Sequence, residues 1–580
     1  MNRLQFTGPF IGVQKNLDSS FSVLEDAEDA SNVNLNLGTI QKRPGWTFHA
    51  DVSDGGAALG IYEYVKLDGS KTQLVKAGGT LQKISSGSVI QLETGFSSSE
   101  LPSFVTINDK CYILDGSIFK VTDGTTVFDA PIARPASAPT LGSASAGVLN
   151  GVYDYKYTWY SSTWGQESPA SDASAVTTLS DQQIVITMST TRPDTRVDKK
   201  RIYRRKVSAS ESVWSFYKEI AYGTATDTDN TRDVDLDATS IAPLSLSTSL
   251  PGLRYAAYQA GVLFLAGDAT NDLYFSRVGT PWELSSAVTI GSSGDSDPIT
   301  GLWAFQGVVI VFKRHSIWLV SGNTKDTIYP RKITSGIGCS AGHSIVEVDG
   351  KLYFLGERSF YIFDGASDPV DIGERVREDI VTRNYARDPY VVGGHDHANG
   401  AIYWSYSGNQ SGSNNRFYAY FYSNSIRTEQ RSWIPWSFNP EEVTSIGMFS
   451  DPATNVRSVY LGFASGAVAE LGGNSDNGTE IIFFWKTGRI DLKKPFNWKR
   501  WGEFTIEFTK RTTASNIDVR YYLDGGAQTA LGSSTQLTPV LRKYIGQSSR
   551  DIQLEIYGAN DQPNEVIGWE MNAEVAGRYT

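Results

Sequence analysis

The chain has 580 residues, 40% of them hydrophobic and 20% charged. This is globular composition, too long for one ordinary core, so it excludes a disordered chain and sets an expectation of two to four domains. With 52 Lys and Arg against 63 Asp and Glu, the net charge is −11, which excludes a typical duplex binder, since phosphate neutralisation needs clustered cations.

The 29 Tyr, 14 Trp and 55 Gly favour strands and tight turns over helices. No apolar run reaches 18 residues, so no membrane span is expected. The N-terminus has no basic segment leading into an apolar one, so it does not read as a secretory signal. Cys111 and Cys339 lie far apart in apolar strand-like contexts. They read as free buried thiols of a chain made in a reducing cytosol.

Residues 1–50 form an N-terminal arm ending in a closing strand. An extended lead over 4–13 precedes the acidic segment Leu24-Glu25-Asp26-Ala27-Glu28-Asp29. A strand ending near Gly38 then meets a basic stop, Gln41-Lys42-Arg43-Pro44-Gly45-Trp46. Glu25, Asp26, Lys42, Arg43, Pro44, Gly45 and Trp46 are the candidate assembly residues.

From 51 onward, short strand pairs recur. Each has a turn residue followed by an apolar run that reads as a buried inner strand. Examples are Lys110-Cys111-Tyr112-Ile113-Leu114, Val262-Leu263-Phe264-Leu265 and Lys351-Leu352-Tyr353-Phe354. Anchors at Phe264, Val309, Tyr353, Tyr403 and Tyr460 are 45, 44, 50 and 57 residues apart. A four-stranded propeller blade takes roughly 40–50 residues. The step from Tyr112 to Phe264 is 152 residues, which calls for an inserted domain.

The insert reads as 134–250. It opens on the stiff Arg134-Pro135-Ala136-Ser137-Ala138-Pro139 and continues as strands resembling a fibronectin type III-like sandwich. Removing it restores a blade-sized step. The expected architecture is therefore an all-β propeller of six to eight blades. First blades fill 51–133, the sandwich 134–250 and further blades 251–473, while 474–580 is a C-terminal β-domain or last blade.

Chemical motifs are sparse. Gly338-Cys339-Ser340-Ala341-Gly342 fits a nucleophile elbow, but β-like sequence follows it where a helix is needed. His395-Asp396-His397 has no third ligand in view. The loop with Asp227, Asp229, Asp233, Asp235 and Asp237 lacks EF-hand spacing. No Walker loop or dinucleotide fingerprint is present. No catalytic, cofactor or metal residue is assigned, and the chain is not expected to be an enzyme.

Two basic runs are candidates for subunit or DNA contact. One holds Lys199, Lys200, Arg201, Arg204 and Arg205; the other holds Lys493, Lys494, Lys499 and Arg500, interleaved with Phe496 and Trp498. The aromatic run from Trp433 through Trp436 to Phe438 reads as blade core, with a neighbour or receptor contact as the alternative.

The stretch 24–46 resembles the opening of β-propeller nozzle or hub proteins in the tails of short-tailed bacteriophages. The resemblance implies a virion tail protein made in the host bacterial cytoplasm. It implies a ring of copies, a hexamer by preference, joined to the tail adaptor and portal and to fibres or a needle. Double-stranded DNA would pass through that ring. The alternative is a receptor-binding or glycan-degrading tail propeller.

Overall fold

A computed structural model describes residues 2–17, 24–35, 37–85, 87–208, 213–243, 252–292, 294–428, 430–452 and 454–576. The boundary expected at 250 lies outside them. Seven four-stranded antiparallel sheets follow one another around a ring: 58–94, 103–129, 255–289, 299–335, 346–371, 392–436, and a last one of 443–471 completed by Trp46–Asp51. We number these blades 1 to 7. The innermost strand of blade 7, Val443–Ser450, meets Ala58–Val65 of blade 1 and closes the ring. Thr444 Oγ1 and Ser445 Oγ both donate to the Ala58 carbonyl, at 2.8 and 2.6 Å. Among the described residues the expected β-propeller therefore has seven blades.

The apolar runs that reveal the repeat are the second strand of each blade, one place outward from the innermost. Val262–Ala266 and Ala401–Tyr406 are buried at every position. A second strand has a partner on each edge and a neighbouring blade on each face, so its apolar run is unbroken. The innermost strands converge on the axis and use glycine for close approach. A Cβ on Gly394 would lie 2.2 Å from Ile446 Cγ2.

The insert leaves after blade 2. Its long strand Thr140–Ser161 pairs with Thr177–Thr187 along most of its length and with Lys199–Lys206 over its second half. The insert's strands form one continuous seven-stranded sheet, with Tyr155, Tyr157, Trp159, Ile184 and Ile202 in a shared apolar core. The insert docks on the rim of blade 2: Trp164 meets Phe128 edge-on at 5.3 Å, and Lys110 Nζ lies 3.8 Å over the Trp164 ring.

Beyond blade 7 the chain builds two further sheets outside the ring. Both recruit the arm. Asn2–Phe6 pairs with Glu565–Val575, and Asp26–Ser31 pairs with Ile481–Thr487. The arm thus supplies strands to both C-terminal sheets and a last strand to the propeller. One continuous core, including Phe10, Trp433, Trp436, Trp485 and Trp501, joins these parts. Among the described residues no helix is long and apolar enough to cross a membrane.

Candidate functional site

The arm motif is a clasp inside the chain. Arg43 is 1% exposed. Its guanidinium donates to Asn32 Oδ1 (2.9 Å), the Pro44 and Ser437 carbonyls (2.8 and 2.6 Å) and both Asp476 carboxylate oxygens (2.9 and 2.6 Å). It also lies 4.3 Å over the Phe438 ring. Such a planar fork suits carboxylate and carbonyl oxygens together. Lys42 Nζ donates to the Asn474 and Asn560 carbonyls at 2.7 and 2.9 Å. Burial pulls its ammonium down to about 8. Asp26 is buried against Arg375 at 2.6 Å.

Gly45 has the Ser475 backbone where a Cβ would stand, and Trp46 packs 5.2 Å from the Phe463 ring. Glu25 borders a cleft of about 750 Å³ beside Glu374 and Arg375. The charges of Asp26, Lys42 and Arg43 are thus engaged within one chain, tying the arm to blade 6 and to the segment leaving blade 7. The candidate assembly residues Asp26, Lys42 and Arg43 thus hold the arm to the rest of its own chain.

The first basic run is neutralised by its own domain. Arg204 pairs with Asp229 (2.7 Å) and Asp233 (2.8 Å), Arg201 with Glu167 (2.8 Å) and Glu219 (3.0 Å), and Arg205 with Asp154 (2.5 Å). Lys199 pairs with Glu219. Lys200 is buried, donates to the Thr224 carbonyl at 2.7 Å, and is lowered to about 8 by desolvation. Lys200 and Arg204 therefore face no partner outside the chain. The acidic loop singled out for calcium is the counter-charge: Asp227 takes Lys218, and Asp229 takes Arg204 and the Tyr155 hydroxyl.

In the second run Lys499 is buried, with Nζ donating to the Lys494 and Arg550 carbonyls. It is structural. Lys493, Lys494 and Arg500 remain exposed beside Phe496, itself 74% exposed.

Ser340 carries no imidazole. Its Oγ lies 3.4 Å from the Leu355 carbonyl and accepts from Arg383 Nη2 at 3.2 Å. Arg383 is itself locked to Asp388 at 2.8 Å, both fully buried. Cys339 next door is buried, which pushes its thiol up to about 12. His395 Nε2 is bonded to the Tyr422 hydroxyl at 3.0 Å, and the His395 and His397 rings stand edge-on 6.0 Å apart.

In each blade, strand connectivity puts the loop between second and third strands on the same face as the link to the next blade. On this upper face the axis is filled by Leu59, Leu101, Val392 and Ile446. A cavity of about 100 Å³ lies there, bordered by Gly60, Pro102, Phe104 and His343. Beside this plug, Arg254 pairs with Glu100, and the Tyr390 hydroxyl donates to Glu100 at 3.3 Å. Lys76 and Asp115 form a fully buried pair at 3.5 Å. Burial, reinforced by Arg254 and Lys76, lowers His343 to about 4. Sequence reading missed this cluster, because Glu100, Arg254, His343 and Tyr390 sit in links between blades with no motif around them.

No family model and no curated protein matches the chain. Solved structures similar to it include the extracellular domain of a hybrid two-component system from B. thetaiotaomicron, at 9% identity and TM-score 0.28, over 94% of this chain and 62% of that one. Apo AztD from Citrobacter koseri matches at 12% identity and TM-score 0.27, over 70% of this chain and 93% of its own. YCF48 matches at 10% and 0.25, over 63% and 97%. Likeness at these levels carries no functional inference.

Proposed function

We propose that the chain is a structural subunit of a short-tailed bacteriophage tail nozzle, assembled as a ring through which the genome leaves the virion. The observation that carries this reading is the stretch 24–46. The residues bearing the resemblance are also the ones that lock arm, propeller and C-terminal sheets into one body. A conduit under load needs such a rigid, cross-braced subunit.

The apolar cluster of Leu59, Leu101, Val392 and Ile446, drawn from blades 1, 6 and 7 and the link to blade 2, narrows the upper end of the propeller, which favours a conduit that runs between copies. The net charge of −11 suits a lumen that DNA crosses without sticking. Exposed Arg500 and Phe496 are of the residue types that subunit contacts favour. The proposed partners are further copies of the chain, hexameric by preference, with the tail adaptor and portal on one side and fibres or a needle on the other.

Analytical ultracentrifugation with negative-stain electron microscopy of the purified chain tests this. A closed ring with a central opening is expected. A chain that stays monomeric both alone and within the tail overturns the reading.

A further inference from the structure

A cavity of about 410 Å³ lies on the upper face between blades 4 and 5. Three segments wall it. The turn holding Arg314 joins Val308–Lys313 to Ser316–Ser321, the second and third strands of blade 4. The turn holding Glu357 and Arg358 joins Lys351–Leu355 to Phe360–Phe363 in blade 5. The link 336–338 runs between them. It is fixed to the first turn by the Gly336 amide, which donates to the His315 carbonyl at 2.7 Å, and by the Cys339 amide, which donates to the Lys313 carbonyl at 3.0 Å. Glycine permits this close stacking: a Cβ on Gly338 would stand 2.1 Å from the Lys313 carbonyl oxygen, and one on Gly356 2.9 Å from that of Gly338.

The wall holds donors that the protein leaves unused. Half-buried Arg314 and exposed Arg358 form no ion pair and donate no hydrogen bond among the described residues. The hydroxyl of half-buried Tyr361 makes no hydrogen bond among them either. None of these polar atoms is shut off from solvent, so a ligand can reach them. Desolvation first, then Asp371, raises the Tyr361 hydroxyl above its ordinary value, which keeps it a protonated donor at neutral pH. The one carboxylate in the wall, Glu357, lies 3.3 Å from His315 Nε2, while His315 Nδ1 lies 3.4 Å from Asp297. Glu357 is thus turned toward the imidazole and pairs with neither guanidinium.

This lining discriminates among ligand classes. Two guanidiniums against one carboxylate leave the cavity net positive, which disfavours a cation. A neutral ligand can accept from the donors but leaves the excess charge unbalanced. An oxyanion does both, because its oxygens accept from the planar forks and its charge offsets theirs. The forks come from two different blades. A tetrahedral phosphate presents oxygens to both walls at once, where a planar carboxylate faces one. The volume is that of a small-molecule pocket, roughly 300–1,000 Å³, so there is room beside the phosphate for a small organic group.

We infer that the crevice between blades 4 and 5 binds a phosphate group, either inorganic phosphate or the phosphate of a small monoester. Arg314 and Arg358 hold its oxygens from two sides, and the Tyr361 hydroxyl donates to it. This site is independent of ring assembly, and no bond to phosphorus is made or broken there.

The test is a phosphorus NMR titration of the full chain with inorganic phosphate, glycerol 3-phosphate and glucose 6-phosphate, with glucose followed by saturation transfer as the uncharged control. A site with Kd on the order of a millimolar or below is expected for at least one phosphate compound, weakening as salt is raised. Inorganic phosphate bound as tightly as the esters marks a free-phosphate site; esters bound more tightly mark a monoester site. Arg314→Ala and Arg358→Ala should each weaken binding by roughly tenfold, and Arg358→Ala, on an exposed side chain, should leave the melting temperature unchanged. Absence of binding by every phosphate compound overturns the inference, as does binding indifferent to both substitutions, or glucose bound as tightly as glucose 6-phosphate.

Discussion

Arg43 shows how much one side chain can hold in this fold. It is buried, with five hydrogen bonds to groups from three parts of the chain, and Asp476 depends on it for charge balance. Breaking a buried pair by removing one partner costs about 3–5 kcal/mol. Arg43→Ala should lower unfolding stability by that order in urea titration, and Arg43→Lys should recover only part of it, because an ammonium cannot span the fork. A loss below about 1 kcal/mol would contradict the clasp.

His343 gives a pH signature. Its folded-state value, about 4, lies below the ordinary 6.5. Between those values the unfolded chain holds more protons, so this group's contribution to stability rises with pH across the window and is lost as pH falls from 6.5 toward 4. His343→Gln should flatten that part of the stability profile relative to the parent; parallel profiles would show that the imidazole is not held neutral. Neither residue's role was legible in sequence. Arg43 and Asp476 are 433 positions apart, and a basic run looks the same whether its counter-charges are solvent ions or, as for Arg204, buried aspartates.

At the level of strands, sequence revealed the blades through their second strands. These are buried on both faces, so they read as uninterrupted apolar runs such as Val262–Ala266. Innermost strands such as Val392–Asp396 hide because glycines let neighbouring blades approach closely, Gly393 toward Val346 and Gly394 toward Ile446, which breaks the apolar run. The arm was recognisable as irregular, but its division among three sheets was not, since a strand as short as Asn2–Phe6 carries no sign that it pairs with Glu565–Val575.

Trp46–Asp51 is predicted to be the fastener of the ring. Ala50 is buried against Ala58, Val75 and Val468, so Ala50→Asp places a charge in that seam. Hydrogen exchange should then accelerate in Ala467–Leu471 and Ala58–Val65, with Lys199–Lys206 in the insert unaffected. Unchanged exchange in Ala467–Leu471 would show that the ring closes without this strand.

For the whole molecule, the seven-bladed ring, the sandwich docked on blade 2 and the C-terminal sheets braced by the arm make one body with an apolar cluster at the upper end of its axis. Several buried charges are paired within the chain: Arg43 with Asp476, Arg383 with Asp388, Arg375 with Asp26 and Lys76 with Asp115. That pattern builds stiffness and fixes geometry, the properties a conduit requires of its wall. The central claim is that copies of this body surround the DNA while each propeller stays shut. Cryo-electron microscopy of the assembled, DNA-containing tail measures this directly. The account predicts DNA density on the ring axis between copies, with every propeller axis filled by protein side chains; density threading a single propeller, or a particle in which this chain forms no ring, would contradict it.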